Sequence, residues 1–486
     1  MNKSESQPHP WQATLRESLP QVAVAGASGF VGSRLREHMG EHFNWIALTR
    51  SQAVSSGSNK VSHTHWRHCD VFSLPQVKAA IEGAHTGIYL VHSMLPSSRL
   101  VQASFADMDA LLADNFARAA KAAGLKHIIF LGGLIPQDRS QLSPHLRSRL
   151  EVEKILRQSG LPVTVLRAGL IVGPGGSSTG MLIRLVHRLP VMLLPKWTTT
   201  LTQSIDVRDV LRAFSMVLTD SKWWGGTYDL GGHPVMSYGK MIRRTADVME
   251  RHTRFIHWPF YSIRPSRLWV RCLSGVSSDL VNPLLESLTH NLQAAPNPLM
   301  EKLSPDCIAF DESIRSALDD QGNPIANPRS LIFPIDRKTI RAEKRVRSVQ
   351  RLPLPKNWTA AKMTEAYGDW LTKRFRGMIR VRQDANGNLR FYLRWPEWTL
   401  LRLSITPFSR VGELRRAYYI EGGALVKQVQ PPGRLEFRIL PDLGCAIAAL
   451  HGYAPRLPWW LYAYTQAKIH LWVMRAFSRF LQQVDQ

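Results

Sequence analysis

Residues 21–39 read QVAVAGASGFVGSRLREHM. An apolar run ends at Gly26, glycines recur at 26, 29 and 32, and a helical stretch follows from Phe30. A buried strand, a tight glycine turn and a helix opening on that turn form the first half of a βαβ unit. Gly26 permits the turn, Gly29 lets backbone amides approach a pyrophosphate, and Gly32 allows close helix–strand packing. The helix N-terminus adds partial positive charge, so Gly26, Ser28, Gly29, Phe30, Val31 and Gly32 are predicted to cradle a dinucleotide.

The pattern repeats outward from this turn. Strands are predicted at WIALTR (45–50), GIYLVHS (87–93), HIIFLGG (127–133) and PVTVLRAG (162–169). Helices are predicted near 74–83, 105–123 and 146–158. Short apolar strands alternating with helices imply right-handed crossovers and a parallel sheet covered on both faces. The fold class is α/β, a Rossmann-type doubly wound sheet, with a helical substrate lid from about residue 235.

The end of the second strand bears on the cofactor. A carboxylate there would bond the adenosine ribose of NAD. The chain has Thr49-Arg50-Ser51 instead. A guanidinium suits a 2′-phosphate, so NADP(H) is favoured over NAD(H). Asp70 and Val71 are expected near the adenine. Val91, His92 and Ser93 fall where the next strand meets the crevice, and Gly132, Gly133, Ala168 and Gly169 end two later strands.

Several segments carry a family resemblance: GASGFVG, the CDV at 69–71, IYLVHSM at 88–94, Asn115 within 112–134, LRAGLIVGPG at 166–175 and TYDLGG at 227–232. Together they resemble the atypical, extended short-chain dehydrogenase/reductase superfamily. The likeness is to NmrA-like proteins, the nucleotide-binding subunit of respiratory complex I, and bacterial NAD(P)-binding proteins with a C-terminal domain of unknown function. Catalytic members are expected to use Asn, Ser, Tyr and Lys together. Asn115 matches the asparagine, but the serine position falls at Gly132 or Gly133. The tyrosine and lysine positions hold His145 and Arg149. The resemblance implies candidate catalytic residues His145, Arg149 and Asn115, with Arg149 also able to hold the ribose. It leaves two readings open: a reductase or isomerase acting on an apolar carbonyl, lipid-like or quinone-like substrate, or a non-catalytic regulatory or assembly module. Trp258, Phe260, Tyr261 and Trp269 would line an apolar pocket or serve as core. No metal site is expected; His63, His65, His68 and Cys69 lack a converging ligand set.

The chain has 486 residues, too many for one ordinary core, with 62 Lys+Arg against 37 Asp+Glu, a formal +25. From Leu331 onward there are 27 Lys+Arg and 11 Asp+Glu, giving +16 in the last 156 residues. That shift places a polar tail at 1–19, the cofactor domain at 20–330, a basic linker at 331–358 and a basic domain at 359–486. The last is expected to be α+β: a helix, antiparallel strands including a hairpin at DANGN (384–388), and a long helix near 458–483. Arginines at 376, 380, 382, 390, 394 and 402 put positive charge on one sheet face. Seven of the 15 tryptophans follow residue 357. Partners consistent with this are an anionic membrane surface, reached through Trp459, Trp460, Tyr462 and Tyr464, or simple intramolecular packing; nucleic acid is not favoured, for want of a recognisable module. The N-terminus has no apolar leader and four scattered cysteines form no framework. A cytoplasmic protein, peripheral on the inner membrane surface if it binds lipid, is expected.

Overall fold

The computed structural model describes residues 19–50, 63–92, 100–258, 287–326, 345–409 and 414–484. The chain divides into two compact units: residues 1–94 with 112–334, and residues 95–111 with 335–486.

The first unit is built on a seven-stranded, all-parallel sheet. Its order is Thr227–Leu230, Val163–Ala168, His127–Gly133, Thr86–Tyr89, Gln21–Ala25, Asn44–Thr49, Thr64–His68. Counted along the chain that is 7-6-5-4-1-2-3, so the winding reverses between the first and fourth strands. Strands such as VAVA and NWIALT are buried on both faces because helices cover both sides. One core layer joins Val22, Val24, Ile88 and Leu166 to Val31 and Leu35 of the first helix and Phe214 of helix Val207–Thr219. The helices Phe30–His38, Leu74–Ala80, Phe105–Ala122 and Pro144–Arg157 lie where the apolar periodicity predicts, with ends moved by one to three residues.

Past residue 235 the unit is not wholly helical. Helices Tyr238–Val248, Pro298–Leu303 and Phe310–Arg315 are joined by a strand, Arg254–Trp258, that pairs in parallel with Val191–Pro195. Val191, Leu193, Ile256 and Trp258 of that pair stay exposed.

The second unit holds an eight-stranded sheet and the long terminal helix. Leu100–Gln102 runs parallel to Val346–Pro353; every other pairing is antiparallel. The hairpin at 384–388 forms with Gly387 at φ +82° and Gln383 opposite Leu389. Three features differ from the sequence reading. Val346–Pro353 is a strand, although it lies inside the stretch read as linker, because its alternate residues Val346 and Leu352 join the core. Cys445–Tyr453, not anticipated, is the strand between it and Arg434–Leu440. The terminal helix is two, Trp459–Tyr464 and Gln466–Val484, broken at Thr465.

Phe437, Met363, Trp370 and Phe477 close the core between sheet and helices. The charges at Glu436 and Arg438 are buried too. Glu436 contacts Arg438 and lies 2.7 Å from Arg415 and 3.5 Å from His451. Burial opposes its charge, but the two guanidiniums and the histidine prevail and hold the carboxyl well below its usual range.

Candidate functional site

Gly26 follows the first strand with φ +96°, a conformation natural to glycine, and a side chain there would meet Leu90 at 3.0 Å. The Gly29 amide donates to the Gly26 carbonyl at 2.9 Å, closing the turn. A Cβ at Gly32 would stand 2.4 Å from that same carbonyl oxygen, so the first helix can approach the loop this closely only with glycine. No side chain caps the helix that starts at Phe30. Its first amides therefore remain available to an anion.

Behind the loop, Arg36 is buried, donates to the Ala27 carbonyl at 3.2 Å and stacks over Trp66 at 4.6 Å. Burial draws its pKa down to about 10, so it remains cationic at neutral pH beneath the anion cradle. On the other side, Arg34 reaches the Pro174 carbonyl. Gly173, at φ +155°, and Gly176 bring the 173–176 loop to the Phe30 ring; a Cβ at Gly176 would lie 3.1 Å from it. Arg36, Gly173 and Gly176 were not singled out from sequence. An arginine on the face that also carries Leu35, and a second glycine cluster at GPGG, were the available signals.

The other predicted cofactor residues gather along the carboxyl edge of the sheet. Thr49 is buried and its carbonyl accepts from Cys69; Arg50, one residue on, is exposed. Asp70 is partly buried and its carboxylate accepts from the Phe72 amide at 3.1 Å. The Leu90 amide bonds to Ala25, which sets Val91 and His92 just past the edge; Ser93 lies outside the described residues, as do Phe260, Tyr261 and Trp269. Gly133 pairs with Ala168, and a Cβ at Gly169 would strike Gln203 at 2.5 Å. Gly133 has room for a small side chain, so the missing serine hydroxyl is not a steric exclusion.

Asn115 is fully buried. Its side-chain amide donates to the Val71 carbonyl at 2.8 Å, and its Oδ1 has no hydrogen-bond partner among the described residues. This ties helix Phe105–Ala122 to the loop bearing Asp70. Arg149 is buried with its guanidinium 5.8 Å from the centre of the Phe130 ring.

His145 opens helix Pro144–Arg157, after Ser143 as N-cap. Its ring stacks on His92 with centroids 5.2 Å apart and planes 8° from parallel. The two Nε2 atoms lie 3.0 Å apart, a hydrogen-bond distance at which one ring donates and the other accepts. His145 Nδ1 lies 3.0 Å from Ser287 Oγ, and Ser287 Oγ lies 3.2 Å from Ser143 Oγ. The Ser143 amide donates to His290 Nε2. A polar chain thus runs His92–His145–Ser287–Ser143, on the segment after strand Thr86–Tyr89, the head of helix Pro144–Arg157 and the 287–290 segment. Ser287 and His290 carried no sequence signal, because 142 or more residues separate them from their partners.

The cradle fits a dinucleotide, whose pyrophosphate Gly26 to Gly32 would hold.

Residues 22–231 match the NAD-dependent epimerase/dehydratase family model. Among curated proteins, auxiliary protein GraX of Staphylococcus aureus is 29% identical over 114 residues. That alignment takes in 24% of this chain, which spans about a third (36%) of the relative's length. Among solved structures, Citrobacter sp. triphenylmethane reductase with NADP(H) is 18% identical, covering 61% of this chain and all of that one, at a TM-score of 0.48. The NADPH-dependent quinone oxidoreductase of Escherichia coli is 19% identical, covering 60% and 98%, at 0.47. The family match falls on the strand–glycine turn–helix and on the sheet it opens, so the first unit has an NAD(P)-binding fold of the epimerase/dehydratase kind.

Proposed function

We propose that the protein is an NADP(H)-dependent reductase in which His145 takes the part that tyrosine plays in the resembling enzymes. The observation that carries this reading is the pair of Nε2 atoms 3.0 Å apart at the head of helix Pro144–Arg157. When bound, the cofactor supplies a hydride. The matching proton comes from His145 in its imidazolium form, with Nε2–H donating to a neutral His92. A substrate oxygen that takes the place of Ser287 Oγ at Nδ1 receives the second proton. The pair thereby passes from one positive charge to none, and His92 remains the acceptor throughout. Arg50 at the second strand's end supports the phosphorylated cofactor. The exposed apolar residues Val191, Leu193, Ile256 and Trp258 in the same unit support an apolar carbonyl- or quinone-like acceptor.

NADPH oxidation over a panel of apolar aldehydes, ketones and quinones tests the reading, with NADPH affinity measured alongside. His145→Ala is expected to lower kcat by about 10²–10⁴ with NADPH affinity unchanged. Tight NADPH binding with no turnover across the panel would instead establish a nucleotide-responsive binding module.

A further inference from the structure

The second unit carries a surface that the cofactor site does not use. Exposed on the terminal helix are Lys468, Ile469, Trp472, Arg475 and Arg479. A groove of about 720 Å³ separates this helix from Gln350–Leu352 of the adjoining strand. Arg351, Lys468, Arg475 and Arg479 line it together with Leu352, Leu471 and Met474, and among the described residues no carboxylate does. Arg351 is neutralised by Asp107 at 2.8 Å. The other three cations have no carboxylate partner among the described residues.

The surface continues beyond the groove. Phe375 packs edge-on against Trp472 at 6.2 Å, and the Arg374 guanidinium covers the same indole at 5.1 Å. The Met378 amide bonds to the Phe375 carbonyl, and the Arg394 amide to the Met378 carbonyl. This leads to Trp395, 89% exposed, and Trp398, 61% exposed. At the helix start Lys468 lies over Tyr464, itself 71% exposed. Arg382, Arg390 and Arg402 stand opposite one another across three strands, but on the sheet face away from Val381, Phe391 and Leu401, which pack with the helices, so they are not part of this surface.

We propose that this face docks on an anionic phospholipid bilayer, with headgroup phosphates entering the groove and the indoles at the acyl boundary. Charge complementarity selects an anionic partner. Ile469 and Met378, 57% and 61% exposed, select the bilayer over nucleic acid. Aliphatic side chains partition into hydrocarbon but give no flat platform for bases. Trp459 and Tyr462, expected from sequence to share in such a contact, are packed into the unit instead; Trp460 and Tyr464 remain outside. Among the described residues no helix is long and apolar enough to cross a membrane, so the contact is peripheral.

Co-sedimentation of the full chain with vesicles of phosphatidylcholine alone, or mixed with phosphatidylglycerol, tests this at about 0.1 M and about 1 M salt. Binding is expected only to the mixed vesicles and weakens at the higher salt. Each cation reversed is expected to cost about fivefold, so K468E/R475E/R479E falls more than about 100-fold. W395A/W398A, at positions too exposed to matter for folding, is expected to weaken binding about tenfold and to abolish a blue shift in tryptophan emission on binding. Equal binding to both vesicles overturns the proposal. So does full retention by either variant, displacement by inorganic phosphate at millimolar level, or tighter binding to single-stranded oligonucleotide than to the mixed vesicles.

Discussion

The first unit offers neutral burial of polar groups for comparison with ionic burial in the second, and each also contains the other kind: Glu153 pairs with Arg167 at 2.7 Å in the first, and His470 lies 3.2 Å from the Ser348 hydroxyl in the second. In the first, the buried titratable groups around the sheet include neutral histidines held by hydroxyls. His127 stacks on Trp224 and pairs with Thr164; His233 lies between Ser204 and Ser313. Burial pushes their pKa values down to about 3 and about 4. In the second, a carboxylate and guanidiniums are buried together as ions at Glu436, Arg415 and Arg438. Neutral burial costs little at pH 7 but fails in acid. Ionic burial depends on every member being present.

The largest effect that would break this contrast is at Glu436. Glu436→Gln leaves two guanidiniums without their counter-charge and is expected to destabilise the protein by about 3–5 kcal/mol, read from denaturant unfolding. A loss under about 1 kcal/mol would mean the knot is hydrated.

Acid comes next. A histidine whose folded pKa is depressed leaves stability intact above pH 6.5. Below that the unfolded chain takes up a proton that the folded chain refuses. His127 and His233 are each expected to withdraw about 3 kcal/mol between pH 6.5 and pH 4. His127→Phe should flatten the slope of stability against pH over that range, by one proton. An unchanged slope would show that His127 is charged in the folded state.

In the cofactor site single groups carry defined tasks. Gly32→Ala, with its Cβ 2.4 Å from the Gly26 carbonyl, is expected to weaken NADPH binding roughly 30-fold, about 2 kcal/mol, by calorimetric titration. Arg50→Ala should lower NADPH affinity about tenfold and leave NADH affinity alone. A loss shared equally by both nucleotides would remove the assignment to the 2′-phosphate. The smallest effect belongs to the charged sheet of the second unit. Arg390→Ala, at the centre of a row of three arginines, is expected to change stability by less than about 0.5 kcal/mol, toward stabilisation.

The contrast also explains what the sequence discloses. Parallel strands buried on both faces, such as HIIFLGG and VAVA, are local apolar runs, and the glycine spacing at 26, 29 and 32 announces its own turn. Arg50 and the loop at Asp70 are read from that frame, and the His145 position from the family resemblance. Cys445–Tyr453 stayed hidden because its run of small apolar residues shows no alternation. Val346–Pro353 stayed hidden behind its arginines. The partnership of His92 with His145 spans 53 positions, and that with Ser287 spans 142, distances over which no periodicity speaks.

The short strand Leu100–Gln102 has a practical consequence for dissecting the molecule. The second unit's eighth strand, and the Asp107 that neutralises Arg351, are encoded more than 220 residues before the rest of that unit. A fragment beginning near residue 330 would leave the outer edge of Val346–Pro353 unpaired over its first residues, and Arg351 without its carboxylate. Such an edge is a template for strand addition by another chain. The second unit is therefore discontinuous in sequence, and a fragment that keeps this sheet edge and this ion pair must include residues 100–107.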